Sequence, residues 1–146
     1  MSIAATFTPS WQGIHHVALS TPNLDETITF YRDILGMKLL FIAPASDMHG
    51  RHAALLPGEG YVGLHFFEVQ DAQIFTPPDL NTMHWIPGAL HHIALAIPDE
   101  EAALKLRQQL AAHNVQMTEV MDQGTTRNIV FRDNNGMTLE ANWPKA

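Results

Sequence analysis

The chain states one motif twice. His15-His16-Val17-Ala18-Leu19 returns as His91-His92-Ile93-Ala94-Leu95, and the same 76-residue offset carries Pro22 to Pro98, Arg51 to Arg127, His52 to Asn128 and Gly60 to Gly136. A repeat that fills half of a 146-residue chain requires a fold made of two like units, with chemically similar side chains on equivalent strands. Two strand-borne histidines at one phase of such a duplication can converge on one point from both halves, as a metal site requires.

The patterning inside each repeat predicts the same order of elements. Residues 13–21 alternate, with Val17 and Leu19 on an apolar face and His16 on the other, which reads as a β-strand. Pro22-Asn23 closes it, and Asn23 with Glu26 matches a helix-capping box. Leu24, Ile28, Tyr31 and Leu35 follow at helical spacing, with Gly36 as the stop. Three strands are predicted next, over 38–43, 51–56 and 61–69, the last two joined by Pro57-Gly58-Glu59-Gly60. The second repeat predicts a strand over 90–97. A helix opens at Pro98-Asp99, carries Glu100 and Glu101 in its first turn and ends at Asn114. Strands over 116–121, 126–132 and 137–143 complete it, with an Asn135-Gly136 hairpin turn between the last two. We therefore expect a single α+β domain over 1–146, with βαβββ units at 13–70 and 90–144. The proline-bearing connection at 71–89 is also a candidate lid.

Composition narrows the function. Eight basic against fifteen acidic residues give a formal charge of -7, and with no Lys/Arg run nucleic acid is excluded as an expected partner. The chain has no cysteine, so disulfides, thiolate ligands and cysteine nucleophiles are excluded and any metal is held by nitrogen and oxygen. Residues 1–12 lack the features of a signal peptide and no apolar run is long enough to cross a bilayer. A soluble cytoplasmic protein without membrane contact is expected.

The candidate chemistry sits on the strands. In the last one Leu139, Ala141 and Trp143 alternate with Thr138, Glu140 and Asn142, which puts Glu140 opposite the apolar face. A carboxylate there is costly unless solvated or paired. Its counterpart in the first unit is His65: His16 to His65 spans 49 residues and His92 to Glu140 spans 48, a difference one turn residue absorbs. Glu68 competes with His65 if that strand is shifted or bulged. If the concave faces oppose, His16, His65, His92 and Glu140 form a metal-ligand set suited to one divalent transition ion, Zn, Ni, Co, Mn or Fe. His16, His92 and Glu140 alone match the two-His-one-carboxylate pattern of iron oxygenases. His52 and Arg127 sit on strands that can line the same cavity, as proton shuttle and anion clamp. Phe67 and Asn142, on the strands of His65 and Glu140, are the expected further substrate contacts. His15 and His91 are expected on the opposite strand face, as packing residues or edge donors; His84 falls in a loop.

The segments HHVALSTPNLDETITFYRDILGMKLL, LHHIALAIPDEEAALKLRQQL and VFRDNNGMTLEANWP resemble the vicinal oxygen chelate superfamily, which contains glyoxalase I, methylmalonyl-CoA epimerase, extradiol dioxygenases and the fosfomycin- and bleomycin-resistance proteins. The resemblance implies that the paired units form a cupped, partly open mixed β-barrel around a metal, in a homodimer whose site lies within one chain or is shared between two. It places His16, His92 and Glu140 on ligand positions, with His65 where glyoxalase-like and epimerase members often carry Glu or Gln. It does not imply a glutathione substrate, because Leu19-Ser20-Thr21 stands where such enzymes usually carry an arginine. The implied activity is that of a glyoxalase-like lyase or isomerase, with the metal chelating vicinal oxygens of a small substrate and Glu140 or His52 as the base. The alternatives are an Fe(II) extradiol-type ring-cleaving dioxygenase and a metal-free binding protein of the resistance kind.

Overall fold

The structure, a computed structural model, describes residues 8–59, 63–76 and 79–146. The first unit runs through β1 (His16–Thr21), α1 (Leu24–Ile28, continued by a π-helical turn over Thr29–Ile34), β2 (Lys38–Ala43), β3 (His52–Leu56) and β4 (Gly63–Glu68). The second comprises β5 (Ile93–Ala96), α2 (Glu100–Ala112), β6 (Met121–Asp122), β7 (Thr126–Arg132) and β8 (Thr138–Pro144). Each unit forms its own four-stranded mixed sheet, in the orders β1-β4-β3-β2 and β5-β8-β7-β6. First and last strands pair parallel and the remainder antiparallel. Neither sheet closes on itself, and together they make the cupped, open barrel.

The strand register carries the repeat down to single residues. His65 stands between Ala18 on β1 and Ala54 on β3; Glu140 stands between Ala94 on β5 and Val130 on β7. Both pairs of neighbours are 76 residues apart, so His65 and Glu140 hold equivalent places. The missing residue lies in the turn: Leu55 pairs with Leu64, nine positions on, and Phe131 with Leu139, eight on.

Local chemistry fixes the helix starts. Asn23 accepts the Glu26 amide at 3.1 Å and Asp99 the Ala102 amide at 2.9 Å, each satisfying a donor that a helix N-terminus leaves unpaired. Packing then joins the units. Tyr31 and Phe66 from the first and Leu110, Phe131 and Trp143 from the second are fully buried in one apolar cluster, where each large side chain contributes roughly 1.5–3 kcal/mol. The β7–β8 turn docks on the first unit's helix, with the Tyr31 hydroxyl donating to Asp133 at 2.7 Å and the Asn134 amide to the Thr27 hydroxyl at 2.9 Å.

Several elements are shorter than expected, β1, β5 and β6 most of all. β1 and β5 begin at His16 and Ile93, where β4 and β8, their only partners among the described residues, begin to pair with them. The strand expected over 116–121 is reduced to an isolated Met117 bridge and the two residues of β6, because the Thr118 hydroxyl accepts the Val130 amide and interrupts the ladder. The connection 71–88 has no helix or strand among its described residues, and Gly60, Tyr61 and the prolines at 77 and 78 lie outside them.

Candidate metal centre split between two sheets

β1 packs half-buried Val17 and Leu19 against the core and leaves His16, Ala18 and Ser20 on the open face. His65 and Phe67 of β4 share that face through their pairing with Ala18 and Ser20, and His52 of β3 joins it opposite Phe67. The His16 and His65 rings stack at 4.3 Å and 16°, and the His52 ring stacks on Phe67 at 4.8 Å and 13°. Phe41 stands edge-on to both His52 and His65. Burial, and then the neighbouring His16, His52 and His15, hold His65 below the usual imidazole range. A neutral ring with an available lone pair is the form that binds a metal.

The second sheet presents the matching half. Glu140 accepts from the Asn128 amide at 2.6 Å and the Asn142 amide at 3.1 Å, both on Oε1. Its Oε2 lies 3.2 Å from His92 Nε2. Asn128 was not among the residues expected at the site, although the repeat points to it as the counterpart of His52. The two carboxylate oxygens thus have different duties: Oε1 is held by two neutral donors and Oε2 faces a ring nitrogen.

Four expected ligands therefore occur as two contacting pairs, His16 with His65 and His92 with Glu140. Among the described residues no three His, Asp or Glu side chains gather to hold one ion within the chain. The donor set nonetheless fits a divalent ion, since every donor is nitrogen or oxygen and one oxygen of Glu140 is already oriented. When bound, such an ion supplies Lewis acidity and a template for two substrate oxygens.

Other expectations resolve by strand phase. Arg127 lies opposite in phase to Asn128 and Val130, on the helix side of the sheet, and pairs with Glu100 in the first turn of α2 at 2.8 Å. Its repeat counterpart Arg51 binds Asp25 and Glu68 in the same manner. Arg127 thus braces the helix and does not share the Glu140 face. Glu68 is on the helix side as well, accepting the Leu24 amide at 2.9 Å, so of the two candidates His65, not Glu68, lies on the open face beside His16. His15 and His91 do not turn away from their neighbours: each places Nδ1 against Nδ1 of the following histidine. An apolar cavity of about 380 Å³ between the units, lined by Leu35, Met37, Leu56, Leu95, Leu106 and Phe131, contains none of the candidate ligands.

The comparisons agree with this architecture. Residues 13–141 match the sequence profile of the Glyoxalase/Bleomycin resistance protein/Dioxygenase superfamily. The chain belongs to that superfamily. A glyoxalase/bleomycin resistance protein/dioxygenase domain from Frankia is similar at TM-score 0.76 and 22% identity, covering 93% of this chain and 100% of that one. An antibiotic-binding protein from Streptomyces matches at TM-score 0.68 and 16% identity, over 94% of this chain and 100% of its own. A lactoylglutathione lyase from Agrobacterium tumefaciens matches at 0.62 and 17%, over 92% and 96%. No curated protein matches the chain. Among the described residues no helix is long and apolar enough to cross a membrane.

Proposed function

We propose that the protein is a divalent-metal-dependent, glyoxalase-like lyase or isomerase acting on a small molecule with vicinal oxygens. In this reading it is a cytoplasmic homodimer, and each centre joins His16 and His65 of one copy to His92 and Glu140 of the other. The observation that carries the reading is the equivalent placement of two ligand pairs that do not meet within one chain. The apolar residues leading into the two ligand strands support a second copy as the covering surface. Trp11 and Ile14 before β1, and Trp85, Ile86 and Leu90 before β5, are all exposed, and such patches mark protein contacts.

Within that centre Asn128 and Asn142 hold Glu140 in one orientation, which disfavours its release as a mobile base. His52 is the better proton carrier, with a ring fixed against Phe67 and a buried Nδ1 that has no partner among the described residues. Phe67 and Asn142 border the substrate. The wall of Phe41, His52 and Phe67 also suits an aromatic substrate, as a ring-cleaving dioxygenase using His16, His92 and Glu140 would need.

Metal analysis of the untagged protein, purified anaerobically without chelators beside His65→Ala, tests the reading. Near-stoichiometric Ni, Co, Mn or Zn that falls away with His65 is the expected result. Iron unaffected by the substitution, with dioxygen consumption, would favour the dioxygenase. No bound metal in either protein would leave a binding protein instead.

A further inference from the structure

In both units the residue before the candidate ligand is also a histidine, and the two rings touch in the same way. His15 Nδ1 lies 2.9 Å from His16 Nδ1, and His91 Nδ1 lies 2.6 Å from His92 Nδ1. The contact is kept although its surroundings differ. The first pair is exposed, whereas the second is part-buried, with His91 packed 4.9 Å from Trp85 and 5.6 Å from His84.

A neutral imidazole carries one N–H, so an Nδ1···Nδ1 hydrogen bond has one donating ring and one accepting ring. If the ligand ring donates, its Nε2 is a bare lone pair and the preceding histidine carries its proton on Nε2. If the preceding ring donates, the ligand's Nε2 bears hydrogen and cannot bind a metal. Which nitrogen is metallated is set by the bond the other nitrogen makes. Carboxylates and carbonyls usually fill that supporting role; here a second imidazole is the group in place.

Resting on the metal-ligand reading above, we infer that His15 and His91 are positioning residues: in the metal-loaded protein each accepts the Nδ1–H of the next histidine and holds its Nε2 as the metal-facing donor. His92 shows what the tautomer change involves. Its Nε2 faces Glu140 Oε2 at 3.2 Å; without metal that nitrogen donates to the carboxylate, and loading metal requires its proton to leave Nε2, which an acceptor at Nδ1 favours. Because His91 is the more enclosed, its loss carries the larger effect; water readily replaces the acceptor at exposed His15.

The test uses zinc as the probe. Zinc affinity is measured by chelator competition for the wild type, His91→Leu, His91→Asn and His15→Leu, and ring nitrogens are assigned by ¹⁵N NMR in the zinc-loaded wild type. We expect His91→Leu to weaken zinc binding by about 10- to 100-fold, with substantial recovery in His91→Asn, whose amide oxygen accepts, and a smaller loss in His15→Leu. His92 should carry hydrogen on Nδ1, with Nδ1 of His91 bare. Unchanged affinity in His91→Leu, or a proton on His91 Nδ1 in the loaded protein, would overturn the inference and leave the metal site standing. A wild type that binds no zinc, nickel or cobalt would overturn both.

Discussion

Glu140 has the most closely determined position of the candidate ligands, because three side chains converge on its two oxygens. Replacing Asn128 with Leu removes the shortest of these contacts and is expected to weaken metal binding by about 10- to 100-fold, as loss of an outer-shell partner does, measurable by chelator competition. At the join between units, Tyr31→Phe deprives the buried Asp133 carboxylate of its 2.7 Å hydroxyl donor. A hydrogen bond to a charged group contributes about 1.5–3 kcal/mol, so urea unfolding should show a loss of that size. Glu68 gives a pH signature. Hydrogen bonds from Arg51, and next from the Leu24 amide, hold its carboxyl below the usual range. Its stabilisation is present above the unfolded carboxyl range and is lost as pH falls through the lower folded value. Thermal melts between pH 7 and 3 should therefore fall less steeply with acidification in Glu68→Gln than in the wild type. Strand phase made His16, His65 and Glu140 readable as lying on the sheet face opposite the apolar core. Asn128 was readable only by following the offset from His52, and the assignment of Arg127 to the cavity ignored that its neighbours Asn128 and Val130 take the open face.

At the scale of elements, the β7–β8 turn both closes a hairpin and docks on the first helix. Gly136 has φ +82°, and a Cβ there would lie 2.1 Å from the Thr76 hydroxyl oxygen. A left-handed non-glycine residue alone costs roughly 1–2 kcal/mol, and the crowding adds to it. Gly136→Ala should accordingly lower the urea midpoint with little change in slope. The turn and both helix caps were legible because their chemistry is local: Asn135-Gly136 for the turn, Asn23 and Asp99 for the caps. The shortness of β6 was not. It depends on the Thr118 hydroxyl meeting an amide 12 residues away, and alternation within residues 116–121 contains no record of that contact. The π-helical turn after α1 was likewise invisible to a pattern that distinguishes only apolar from polar faces.

Across the whole molecule, the duplication explains both the fold and the division of the candidate centre. Each unit supplies the same two sheet positions, one on its first strand or just before it and one on its last, and the shared core holds the units together through their helices and the β7–β8 turn. The repeat made two βαβββ units legible, but a repeat is compatible with a centre inside one chain or between two, since both use the same ligands. In the proposed centre the four ligands come from two copies of the chain. This arrangement is tested most directly by mixing His16→Ala and Glu140→Ala proteins, each defective alone, under conditions that exchange subunits, and measuring bound metal. A heterodimer carries one centre with both defects and one with none, so mixing should restore metal to about half of each mixed dimer's two centres, the outcome expected of shared sites in a two-fold assembly. No recovery after demonstrated subunit exchange would place all four ligands within one chain and contradict a shared centre.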